Sequence, residues 1–142
     1  MSEYLLPAHL TILAITAVGI LLADHEAFAW MRGKKQTLDK KWMFTLHLWV
    51  GFGLIGMIIT GGLMFWPVRE YLLANSLAFL MKMGFVAILV GNSFLIGELL
   101  NVGTAKPYAS LTSSEKLPLF ASGALSSVSW VGAGICALFL FS

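Results

Sequence analysis

The chain has 142 residues, a length for one domain spanning 1–142, and carries a net charge of +2. It is 58% hydrophobic and 11% charged, with a mean hydropathy of +0.85, whereas a soluble domain carries about 25% charged residues. That balance excludes an ordinary soluble domain and points to an all-α polytopic membrane protein. No basic run with interleaved aromatics is present, so no nucleic-acid partner is expected. The one cysteine, Cys136, excludes an intrachain disulfide and a Cys-rich metal motif.

A spanning helix needs about 20 mostly apolar residues, and four stretches qualify. The first covers residues 7–31, with Pro7 placed for a first helical turn. No Lys or Arg precedes it, so it reads as a retained helix rather than a cleaved leader. The second covers 42–66 and is expected to stop at Pro67. The third covers 71–100, long enough to tilt or to start in the interface. The fourth covers 118–141. Backbone in lipid must satisfy its own hydrogen bonds, so these are helices. The alternation of a membrane β-barrel is missing. The expected fold is an antiparallel up-down bundle of four transmembrane helices.

Five of the nine basic residues fall in the short loop 32–41: Arg32, Lys34, Lys35, Lys40 and Lys41. Lys106 and Lys116 lie in the loop 101–117, whereas the turn after the second helix has Arg69 balanced by Glu70. The excess of basic residues places the first and third loops in the cytoplasm and both termini outside. Trp30, Trp42, Trp66 and Tyr71 fall where an interfacial aromatic belt would lie. The run Leu111-Thr112-Ser113-Ser114-Glu115 has the form of a helix cap.

Small residues suggest packing faces. The second helix has Gly51, Gly53, Gly56, Gly61 and Gly62. The fourth has Ser122, Ser126, Ser129, Ala133 and Cys136 on one stripe. The glycines of the second helix lie on more than one side, so one face is expected to meet another subunit, a copy or a partner. Gly56 is the position chosen for that face.

Ionisable groups inside a membrane are costly and mark candidate sites. His25 lies eleven positions before Gln36 and His47 eleven after it, so two helices joined by this loop place them at one depth. His25 shares a stripe with Thr11, Ala14, Val18 and Leu22; His47 shares one with Gly51, Leu54, Ile58 and Gly61. Both stripes are expected to face the bundle. Two such histidines suit a haem held between helices. With Glu98, or with Asp24 or Glu26, they suit a mixed nitrogen–oxygen transition-metal site. A third reading leaves both as structural residues bonded to backbone or water. His9 lies about 24 Å from His25 along the helix and cannot join this level. Lys82 either snorkels or meets a carboxylate or a quinone, and Asn92 is expected to make an interhelical hydrogen bond.

The second helix, from His47-Leu48-Trp49-Val50-Gly51 to Thr60-Gly61-Gly62, and the spacing of Lys82 and Asn92 resemble small bacterial membrane proteins of the copper-resistance D type and b-type cytochrome bundles. The resemblance covers about the middle half of the chain. It implies a four-helix bundle of the bacterial inner membrane that holds haem b or handles copper or electrons. The three histidines here allow one bis-histidine haem, on His25 and His47, where di-haem members need four. Three functions remain open: a redox protein passing electrons between a quinone and a partner, an accessory subunit of a larger membrane complex, and a small channel or transporter.

Overall fold

The computed structural model describes residues 2–141, and no strand occurs among them. The helices are α1 (Ser2–Met31), α2 (Lys40–Phe65), α3 (Arg69–Asn75), α4 (Leu77–Ala105) and α5 (Ser113–Phe141), with 3-10 turns at Trp66–Val68 and Tyr108–Ser110. Four of the helical stretches are long and apolar enough to cross a membrane.

The ends differ from the sequence expectation for local reasons. Pro7 and Pro118 lie inside their helices rather than at the first turn. α5 starts early because Thr112 and Glu115 form a reciprocal cap: the Glu115 N–H donates to Thr112 Oγ1, and the Thr112 N–H to Glu115 Oε1, both at 3.3 Å. The capping motif thus opens α5 itself, and α4 runs on to Ala105, so the loop expected over 101–117 shrinks to residues 106–112. Pro67 does not stop the chain. It tightens the helix into a 3-10 turn that leads into α3, with the Arg69 guanidinium donating to the Trp66 carbonyl at 2.8 Å. The true break is Ser76, whose backbone is extended and whose hydroxyl caps Phe79 N–H at 3.1 Å. Tyr71 therefore belongs to α3 rather than to the third span.

α1 ends in a Schellman motif. Gly33 has a φ of +73°, the Lys34 N–H reaches the Ala29 carbonyl at 2.9 Å, and the Gly33 N–H reaches Trp30 at 3.1 Å. The chain then lays Leu38 over Gly103. Its N–H donates to the Gly103 carbonyl at 2.9 Å, and a Cβ on Gly103 would stand 2.6 Å from Leu38 Cδ1. Asp39 caps α2 by accepting from Trp42 N–H at 2.9 Å. Trp30, Leu38, Met43, Leu46 and Leu111 form a buried cluster at this end.

α1 packs along α2 and α4 along α5, and the two pairs meet mainly through α2 and α4. Gly19 of α1 lies against Trp49 and Val50, Thr16 against Gly53, Ile12 against Gly56, and His9 against Gly61. Gly53, Gly56 and Gly61 are therefore occupied within the chain. Gly56, expected on a face toward another subunit, instead seats Ile12. Between α4 and α5, Gly132 receives Phe85, and Ser122, Ser129, Ala133 and Cys136 are buried, so the stripe read from the sequence is the packed one. Asn92 and Ser122 bond reciprocally: Asn92 Nδ2 donates to the Ser122 carbonyl at 3.0 Å and Ser122 Oγ to Asn92 Oδ1 at 2.9 Å. Such interhelical bonds in lipid average about 0.6 kcal/mol and reach about 1.7.

Candidate functional site

At the end of α1 nearer the 32–39 loop, the three residues singled out by sequence take separate positions. His25 is exposed, on the same outward face as Thr11, Ala14, Val18 and Leu22. That stripe turns away from α2; the face of α1 that packs carries His9, Thr16, Gly19 and Trp30. The correction has a physical cause. α1 is apolar on all sides, so periodicity cannot choose the packed face, whereas close approach selects small residues. His47 is half-buried, and its Nε2 lies 3.6 Å from where a Cβ on Gly97 would stand, so it faces α4 rather than α1. Glu98 follows Gly97 and is turned about 100° around the helix, where it is exposed. On the register of the α1–α2 contacts, His47 lies opposite Leu22 and His25 opposite Phe44. Among the described residues, no three His, Cys, Asp or Glu side chains converge to hold a metal ion. Asp24 is exposed, and Glu26 is paired with Lys35.

At the opposite end, polar groups of α1 and α2 meet. His9 is buried, and its Nδ1 lies 2.7 Å from Thr60 Oγ1. The Thr60 hydroxyl donates to the Gly56 carbonyl at 2.8 Å, so toward His9 it accepts. That bond fits the His9 tautomer protonated at Nδ1, the roles of the ring nitrogens following the tautomer. Lys82 of α4 is half-buried, and Cys136 of α5 is buried. Among the described residues Lys82 makes no ion pair or hydrogen bond.

No protein-family model, curated protein or solved structure matches this chain.

His9 and Thr60 were not paired by the sequence reading, yet its own depth argument contained them. They stand at nearly equal distances from the 32–39 loop, as His25 and His47 do. What the sequence did not carry is the rotation of each helix, and rotation decides which equal-depth residues meet.

A different feature stands out on α4. Gly84, Ala87, Gly91 and Glu98 recur at helical spacing and are all exposed. A Cβ added at Gly84 or Gly91 would have nothing within 4 Å. A patch of small residues thus lies on the outer face of α4 over Gly84, Ala87 and Gly91, and the same face continues past the exposed Phe94 and Leu95 to the carboxylate of Glu98.

Proposed function

We propose that the chain is an integral membrane protein of four antiparallel spans, with the loops 32–39 and 106–112 in the cytoplasm and both termini outside. It works as a subunit of a larger membrane assembly, built from copies of itself or with a partner. The observation that supports this most is the outer face of α4. In lipid, small residues let helix backbones approach closely, and a lipid-facing carboxylate such as Glu98 is costly. Both are relieved when Gly84, Ala87, Gly91 and Glu98 are covered by another helix. The order of contacts between α1 and α2, with residue numbers rising along one as they fall along the other, supports the up-down arrangement.

Gly91→Leu is the direct test. It touches nothing within the chain, so its unfolding midpoint is expected to stay within about 0.5 kcal/mol of the wild type. The assembly is expected to shift toward monomer in native mass spectrometry from a bilayer mimic. A wild type that is monomeric, or an oligomer unchanged by Gly91→Leu, refutes the subunit reading.

The second reading is the redox protein, exchanging electrons with a quinone, with haem b or a transition metal on His47; His25 and Glu98, exposed on other faces, would join it only from a neighbouring copy. One observation favours it: Gly97 leaves the His47 imidazole nitrogen free of any side chain at that position. Haem would give a Soret band lost in both His25→Ala and His47→Ala. A metal would give no such band, but a bound-metal content that falls in both variants and in Glu98→Ala.

A further inference from the structure

We propose that the 32–41 segment is a binding surface for the phosphodiester headgroups of anionic phospholipids. This rests on the membrane reading above and goes beyond the orientation that the basic residues set. The segment is not a loose tether. The Schellman motif at Gly33, the Leu38 bond to the Gly103 carbonyl and the Asp39 cap fix its course at three points. On that frame the charges divide into two groups. Lys35 is spent on Glu26, and nearby Lys106 on Glu115. Arg32, Lys34, Lys40 and Lys41 are exposed and take part in no ion pair among the described residues. The acid within the segment, Asp39, is turned onto the Trp42 amide. Four cations thus face one carboxylate that already accepts a backbone hydrogen bond.

Exposed aromatics lie at the same end of the helices. Phe28, Trp42 and Phe44 are 54%, 39% and 58% exposed. The Arg32 guanidinium is folded back over the Phe28 ring, 6.0 Å from its centroid. Aromatic rings favour the headgroup level, and this stack holds the guanidinium donors there. Guanidinium and ammonium groups at that depth match phosphate oxygens. A basic residue close to an anionic leaflet is worth about 1 kcal/mol, close to five-fold in association.

The test uses the full chain in nanodiscs of symmetric leaflets, so that insertion orientation does not matter. Spin-labelled phosphatidylglycerol and phosphatidylcholine report the relative association of each lipid with the protein. The wild type is expected to prefer phosphatidylglycerol by about five-fold or more at low salt. The preference is expected to fall several-fold in a Lys34→Gln/Lys40→Gln variant and in 0.5 M NaCl. It should be unchanged in Arg69→Gln, whose side chain sits on Trp66 beyond the other end of α2. Equal association of the two lipids by the inserted wild type overturns this proposal alone. So does a preference that survives both the variant and salt, or one abolished by millimolar inorganic phosphate, which would mark a site for the free anion. A chain that fails to enter the nanodisc overturns the membrane reading and this proposal together.

Discussion

Gly53→Leu is expected to destabilise the α1–α2 pair by about 3 kcal/mol, at the upper end of what overpacking costs. A Cβ at this position would stand 2.8 and 2.9 Å from Thr16 Cγ2 and Cβ, and closer still to its hydroxyl. Thr16 cannot easily give way. It is fully buried, β-branched, and donates to the Ile12 carbonyl at 2.6 Å. The added side chain must therefore push the helix axes apart, which also loosens the Ile12–Gly56 contact on one side and the Gly19–Trp49 contact on the other. Gly62→Leu on the same helix adds bulk where nothing lies within 4 Å and serves as the control. Unfolding in mixed micelles of rising denaturing-detergent fraction gives both values. Equal midpoints for the two variants would mean that α1 does not pack on α2 through Thr16 and Gly53.

Trp30→Ala should cost about 3–5 kcal/mol, the range for removing a buried large aromatic. Trp30 is 3% exposed. Its ring meets Tyr108 edge-on at 5.2 Å, and its Nε1 donates to the Lys106 carbonyl at 3.0 Å. Through these contacts α1 holds the 106–112 segment, while Lys116 lies over the other partner of the stack, Tyr108, at 4.8 Å. Losing the indole should therefore free that segment as well as lower stability. Chymotryptic cleavage after Tyr108 is expected to accelerate in the variant. Trp30→Phe keeps most of the packing and gives up the hydrogen bond, so its cost should be nearer 1 kcal/mol. Wild-type stability and cleavage rate in Trp30→Ala would remove Trp30 from the link between α1 and this segment.

Much of the fold was legible because it follows from length and apolar content. Four long apolar helices and the short basic loop can be read directly, and so can the packed stripe Ser122–Ser129–Ala133–Cys136, where small and polar residues recur on an otherwise apolar helix. Helix rotation was not legible on α1. Apolar side chains cover all its faces, and the stripe containing His25 is as regular as the one containing Thr16. The signal for the packed face was present in Thr16 and Gly19, the residues that permit close approach. Helix ends were misjudged where capping outweighed the apolar run: Ser76 divides what looked like one span, and Thr112 with Glu115 starts α5 ahead of Pro118. The depth argument for His25 and His47 placed residues along the membrane normal and left their directions open. In the structure one points outward and the other toward Gly97.

The proposed topology, with the basic 32–41 segment in the cytoplasm and both termini outside, is the claim from which the membrane reading starts. The measurement is labelling by a membrane-impermeant maleimide of Ser2→Cys and Gln36→Cys, each in a Cys136→Ala background. The account predicts that Ser2→Cys is labelled in intact cells and that Gln36→Cys is labelled only after permeabilisation. Labelling of Gln36→Cys in intact cells with Ser2→Cys protected would contradict it.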